Sequence, residues 1–237
     1  MTVATVDLPF SIEERAVFVP TADSLIVADI HLGRAAASSI DAPIDDGGDV
    51  RDRLASLLDR TDPSTVVVAG DLLHSFDTVP RGVERDVVAL VSVIDDAGAS
   101  LVVTPGNHDT MLADVFHGET TREYRLADDE TVVCHGHEPP DEDAKRYVIG
   151  HDHPALSVEG RKLPCALYGP NAHEGSDVLV LPAFTRTAAG ATINRMRSRD
   201  FQSPLISDAD AFHPAVWDDS NGDTLWFPPL GRCRDLL

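Results

Sequence analysis

The chain has 237 residues, is 43 % hydrophobic and carries a formal charge of −21; this fits one soluble domain over residues 1–237 and excludes the basic surface with which most proteins track phosphates. No apolar run approaches the roughly 18 residues of a membrane span. Met1 to Phe10 lacks the basic and apolar regions of a signal peptide, so a cytoplasmic location with no membrane association is expected. Cys134, Cys165 and Cys233 are odd in number and widely spaced, which argues against a disulfide framework or a thiolate zinc centre and leaves core thiols.

The acidity itself says little about partners. Lysine occurs only at Lys145 and Lys162, arginine supplies the remaining positive charge, and aspartate greatly outnumbers glutamate. That composition resembles proteins of salt-accumulating halophiles, a halophilic archaeon being the expected source. In such salt, exposed charges are screened over about 3 Å, so the excess of acid is a statement about solvent.

In chain order, Leu25–Ala28 is the first short apolar run and predicts a buried strand. Leu54, Leu57 and Leu58 then share one face of a helix. Val66–Ala69 predicts a second strand. Val87, Leu90, Val91 and Ile94 predict a second helix, which Gly98 can stop, and Leu101–Val103 a third strand. Thr131–Cys134 and Tyr147–Ile149 are two more. Strands alternating with helices imply an α/β fold. From residue 175 to 237 the runs Val178–Leu181, Ala191–Ile193 and Thr224–Phe227 predict a mostly β part that adds a second sheet.

Polar residues fall where these strands end. Asp29 and His31 follow the first strand, Asp71 and His74 the second, and Asn107, His108 and Asp109 the third. His135 and His137 follow the fourth, and His151 and His153 the fifth. The carboxyl ends of strands in an open α/β sheet form one rim, so residues remote in sequence converge there. Carboxylate, amide oxygen and imidazole together suit Mn²⁺, Fe²⁺ or Zn²⁺. Their number exceeds what one ion needs, and Asp71 is the candidate to bridge two ions about 3.5–4 Å apart.

The motifs Asp29-Ile30-His31, Gly70-Asp71-Leu72-Leu73-His74, Gly106-Asn107-His108-Asp109, His135-Gly136-His137 and Gly150-His151-Asp152-His153 resemble, in order, those of calcineurin-like metallophosphoesterases; they span residues 29–153. The resemblance implies a four-layer α/β/β/α sandwich of two mixed β-sheets flanked by helices. It implies one ion held by Asp29, His31, Asp71 and His153, a second held by Asp71, Asn107, His135 and His151, and His108 as the catalytic acid. Mn²⁺ is the first choice of metal, ahead of Fe²⁺, Zn²⁺ and Ni²⁺. The implied reaction is phosphodiester hydrolysis by in-line attack of a metal-bound hydroxide, on a DNA or RNA strand or a nucleotide. Asp152 departs from the family pattern, and His137 adds an imidazole to it.

Asp29–Gly33 with Gly70–His74 is similar to SbcD-type DNA nucleases, in which the last histidine helps place the substrate and the enzyme dimerises. Leu181-Pro182-Ala183-Phe184 and Ala191-Thr192-Ile193-Asn194 look like the ICC-like phosphoesterases, some of which accompany a DNA ligase and helicase. Candidate substrate contacts are His74, Arg34 and His137. Arg195, Arg197 and Arg199 would face one way on an extended segment, but a solvated stretch is the reading adopted. His117, His173 and His213 follow no motif, and Cys134 alternates with His135 into the core. The alternatives to an enzyme are a catalytically silent scaffold of the same shape in a DNA-repair assembly and a metal-storage or sensing protein.

Overall fold

Alternation along β-branched strands decides which face of each sheet meets which layer. The computed structural model describes residues 8–34, 45–74 and 77–234; the expectation for Met1 to Phe10 falls mostly on residues 1–7, outside that range. In chain order the elements are β1 (Ser11–Glu13), β2 (Ala16–Val19), β3 (Ser24–Ala28), α1 (Asp46–Thr61), β4 (Thr65–Ala69), α2 (Val83–Asp96), β5 (Ser100–Thr104), α3 (Leu112–Val115) and β6 (Glu119–Thr120). They continue with β7 (Glu123–Arg125), β8 (Thr131–Cys134), β9 (Arg146–Ile149), β10 (Pro154–Val158), β11 (Arg161–Pro164), β12 (Ala166–His173) and β13 (Ser176–Val180). The chain then forms β14 (Ala191–Thr192), β15 (His213–Asp218), β16 (Asp223–Trp226) and α4 (Leu230–Cys233).

Among the described residues, the first sheet has the order β1-β2-β3-β4-β5-β6 and the second β16-β15-β12-β13-β9-β8-β7, with a small sheet β11-β10-β14 beside them. Both large sheets are mixed: β3, β4, β5 and β6 run parallel, as do β8, β9 and β13, and the other pairings are antiparallel. Leu25, Val27, Val66 and Val68 face outward onto Leu54 and Leu57 of α1 and Val87 and Leu90 of α2. Ile26, Ala28, Val67 and Ala69 face inward and meet Val133, Val148 and Leu179 of the second sheet. Period-2 patterning thus builds a sandwich of two sheets with helices on the first.

The fourth layer covers Val132, Tyr147, Ile149, Val178 and Val180 with Ile193, Phe201, Leu205, Phe212 and Leu230. It is helical only in short pieces, the 3-10 turns Ile193–Arg195, Ser198–Asp200 and Ala209–Ala211 and the four-residue α4. Pro204 and Pro214 break this stretch and its apolar residues lack a sustained 3.6 period, so long helices cannot form. Two of those turns also remove the extended face that was the alternative for Arg195, Arg197 and Arg199. Arg197 pairs with Asp210 at 3.3 Å and Arg199 lies 3.8 Å from Asp200, as a solvated stretch would.

The predicted strands and both predicted helices are present, and Gly98 follows α2 at φ +79°. Unforeseen are the β1–β2 hairpin, β6, β7, β10 to β12 and β15, most of them short or part-exposed. No helix among the described residues is long and apolar enough to cross a membrane.

Register prepares the functional end of the sandwich. Ala28, Ala69 and Thr104 pair in one row, so the chain leaves β3, β4 and β5 at the same level. After β13 the chain crosses back to the first sheet: Leu181 N–H donates to Ile149 O at 2.8 Å and Phe184 N–H to Ala28 O at 2.7 Å. Leu179, fully buried between the sheets, tests this packing. Leu179→Ala should lower unfolding stability by about 3 kcal/mol in a denaturant titration, whereas Val88→Ala on the exposed face of α2 should cost less than about 0.5 kcal/mol.

Candidate metal centre

The chain turns sharply at the polar donors that follow β3, β4 and β9. Asp29, His31, Asp71, His151 and His153 all adopt left-handed backbone, with φ of +55°, +51°, +46°, +70° and +43°. Such a cluster of non-glycine residues at positive φ is uncommon and costs conformational energy. The turns fold the five side chains back into one pocket between the sheets. Two glycines make room there. A Cβ on Gly70 would lie 1.9 Å from His135 Nδ1, and one on Gly106 would lie 2.1 Å from Asp71 Oδ1, so each strand end leaves space for a donor from another strand.

The donor atoms fall into two groups. In the first, His31 Nε2 is 3.3 Å from His153 Nε2, which is 3.3 Å from Asp29 Oδ1. In the second, His135 Nε2 is 3.0 Å from Asn107 Oδ1 and 3.1 Å from His151 Nδ1. Asp71 Oδ2 lies between them, 3.8 Å from His31 Nε2 and 3.7 Å from His135 Nε2. Donors about 2.1 Å from one ion at 90–110° to each other would be about 3.0–3.4 Å apart, so the separations within each group fit coordination, while Asp71 Oδ2 stands slightly farther off, between the two. Buried Asp29 Oδ1 makes no hydrogen bond, leaving an unsatisfied anionic oxygen in the first group.

Each carboxylate keeps its other oxygen on a backbone amide: His151 N–H donates to Asp29 Oδ2 at 3.0 Å and His108 N–H to Asp71 Oδ1 at 2.9 Å. The imidazoles are anchored in the same way. His31 Nδ1 lies 3.4 Å from Leu73 O and His135 Nδ1 3.4 Å from Ala69 O. Donation from Nδ1 to those carbonyls turns the Nε2 lone pairs inward.

Burial drives the His31 pKa down to about 3 and that of His135 down to about 4, and it also lowers His151, so these rings stay neutral. For Asp29 burial acts upward, but His153, His135 and His31 outweigh it and hold the group low. Asp71 is pushed up to about 8, first by burial and then by the charge of Asp29. Two carboxylates and neutral imidazoles with inward lone pairs form a pocket suited to divalent cations.

The pocket opens on a cleft of about 350 Å³, lined by Arg34, His108, Gly190 and Gln202 together with Asp71, Asn107, His151 and His153. His108 Nδ1 is 3.2 Å from His74 O, and its ring stacks on that of His74 with centroids 5.4 Å apart. Arg34 reaches to 3.5 Å from His74 Nδ1 and 3.4 Å from Thr187 O. Candidate contacts His74 and Arg34 therefore adjoin His108. His137 does not: its ring lies 5.0 Å from that of His135 and 6.0 Å from that of His151, and it lines a small recess with His135, Arg122 and Glu138. His213 bonds to Phe227 O at 3.2 Å and His173 packs on Tyr147, both within the fold. Cys134 is buried and burial raises its thiol to about 12, which keeps it inert.

Two supporting carboxylates had no assigned role in the sequence. Asp109 accepts from Leu72 N, Leu73 N and Gly106 N at 3.2, 2.8 and 2.9 Å, tying the loop after β5 to the loop after β4. Asp152, between two histidines, turns away from them and accepts from Gln202 N and Ser203 N at 2.8 and 3.1 Å, fixing the Gln202 wall of the cleft. Both are aspartates beside donor residues, and only tertiary structure reveals which way they point.

Residues 24–131 match the family model of the calcineurin-like phosphoesterases. Among solved structures, the nuclease MPE of Pseudomonas putida is similar, with 23 % identity, a TM-score of 0.58, and coverage of 87 % of this chain and 96 % of that one. Yfce, a phosphoesterase from E. coli, matches at 16 % identity and a TM-score of 0.42, over 83 % of this chain and 88 % of that one. No curated protein matches the chain. The α/β architecture of mixed sheets and helices is that of the calcineurin-like phosphoesterase fold.

Asp71 gives a signed expectation for the chelated protein. Its folded pKa, about 8, lies above the unfolded value of 3.8, so its contribution to stability is complete below 3.8 and is lost as pH rises through 8. Asp71→Asn removes the buried charge and should raise the melting temperature in EDTA at pH 8.5 above that of the parent, with the gap closing towards pH 5. Melts of both proteins across that range would check it.

Proposed function

We propose that this chain is a phosphoesterase that hydrolyses phosphodiester bonds with the help of two divalent cations. The observation that carries the reading is the position of Asp71 Oδ2, 3.8 Å from His31 Nε2 in one donor group and 3.7 Å from His135 Nε2 in the other. Asp29, His31, Asp71 and His153 would hold the first ion, and Asp71, Asn107, His135 and His151 the second. Bound divalent ions supply Lewis acidity to phosphoryl oxygens and lower the pKa of water. Mixed oxygen and nitrogen donors suit Mn²⁺ first, with Fe²⁺, Zn²⁺ and Ni²⁺ as the other choices.

The chain's own residues do the remaining work. His108 lines the cleft beside Asn107, and its Nδ1 is engaged by His74 O. From that position its ring would carry a proton to the leaving oxygen. Arg34 adds a guanidinium at the same cleft, where a phosphate would find a forked donor. An open cleft with one such donor suits a diester within a strand, and a DNA or RNA strand is the substrate class we favour. The family match over residues 24–131 supports the reaction class.

Hydrolysis of bis-p-nitrophenyl phosphate and of its monoester, in high salt with Mn²⁺, tests the reading. The diester should be the better substrate, EDTA should abolish turnover and Mn²⁺ restore it. His108→Ala should lose about 10²–10⁴-fold in kcat while retaining the thermal stabilisation by Mn²⁺. If neither ester reacts although Mn²⁺ binds, the fold is a catalytically silent scaffold.

A further inference from the structure

A second cluster of polar groups lies where the chain crosses between the sheets. Glu14, at φ +59°, turns the β1–β2 hairpin. The next residue, Arg15, reaches across to the segment after β13, where its NH1 donates to Ala183 O at 3.1 Å and Thr185 O at 2.6 Å. Arg53 of α1, with only 9 % of its side chain exposed, donates to the intervening carbonyl of Phe184 at 2.6 Å and stacks 4.3 Å above that ring. Arg186 follows in the same segment. Consecutive carbonyls thus draw the guanidiniums together, and Arg15, Arg53 and Arg186 line one cavity of about 130 Å³ with Glu14, Trp217 and Asp219. It shares no lining residue with the metal cleft.

In the cavity lining three guanidiniums meet two carboxylates, Glu14 and Asp219. Glu14 is divided between Arg60, at 3.2 Å, and Arg53, at 3.5 Å. Asp49 is divided between Arg186, at 2.8 Å, and Arg53, at 3.8 Å. Arg15 is held by carbonyls alone and has no ion pair among the described residues, and buried Arg53 Nε makes no hydrogen bond. Asp219 is exposed at the rim and pairs with none of the three guanidiniums. Burial and repulsion from Arg53 and Arg186 also pull the Arg15 pKa down to about 10, which a bound anion would relieve.

We infer that this cavity is a second phosphate-binding site, separate from the metal centre, where the guanidiniums of Arg15 and Arg186 take the oxygens of one phosphate group. Binding here stands whether or not the metal centre is catalytic. Free orthophosphate and the backbone of a nucleic-acid strand present the same chemistry to it.

Titration of inorganic phosphate into the full chain in EDTA, followed by calorimetry, is the first measurement. Saturable binding is expected, weakened at least tenfold in Arg186→Ala, whose exposed side chain leaves folding intact, and likewise in Arg15→Met. Absence of saturable binding, or equal affinity in the parent and both variants, overturns the site. With Mn²⁺ restored, a raised KM for an oligonucleotide but not for bis-p-nitrophenyl phosphate in Arg186→Ala identifies strand phosphate as the occupant. An unchanged KM for both, with orthophosphate binding lost, identifies the free anion.

Discussion

Two buried carboxylates a short distance apart, Asp29 and Asp71, are the constraint on which the rest of this structure depends. Like charges withdrawn from water are costly, and polar surroundings must offset that cost. Here each carboxylate spends one oxygen on a backbone amide from a neighbouring loop, His151 N–H for Asp29 and His108 N–H for Asp71. The second oxygen of each is turned towards imidazoles. Of these, His31 and His135 are neutral through burial, so they bring lone pairs and no charge. The pocket is thereby organised around a positive charge that its own side chains do not provide.

Meeting that constraint requires both sheets. Asp29, Asp71 and Asn107 belong to the first, and His135 and His151 follow strands of the second. Close approach is possible because the facing strand ends carry glycine where any Cβ would collide with a donor. The segment after β13 then laces the sheets together through Leu181 and Phe184, and its continuation supplies Gly190 to the wall of the cleft. Arg15 and Arg53 brace that same segment by binding its carbonyls. Packing of the sandwich and geometry of the site are therefore a single problem.

Much of this was legible in the sequence, for identifiable reasons. Runs such as Val66–Ala69 are short, β-branched and closed by Gly70-Asp71, so strand and strand end could both be read, and donors after five such ends implied convergence. The hairpin carrying Arg15 was not legible, because its strands are three and four residues long and its turn is charged. Nor were the directions of Asp109 and Asp152, since aspartates beside histidines look alike whether they face an ion or a loop. His137 shows the converse: its motif sets it two residues from His135, and after Gly136 at φ +91° it lines a recess that His135 also lines, on another side from the His108 cleft. Pattern locates donors along the chain, and backbone turns decide where they point.

The left-handed turns at Asp29, His31, Asp71, His151 and His153 also act as a filter on which amino acids can stand there. Asparagine, aspartate and histidine enter that region several-fold more readily than other side chains, whereas bulky and β-branched residues are strained in it. Cysteine gains no such tolerance, so exchanging a donor for a thiolate would strain the main chain before any question of affinity arose, whereas Glu14, Glu159 and Glu174 show that a longer carboxylate can enter the region elsewhere in the chain. The repertoire of this pocket is in that sense biased by its backbone: aspartate, asparagine and histidine are favoured at these turns, and a thiolate there carries a torsional cost of about 1–2 kcal/mol.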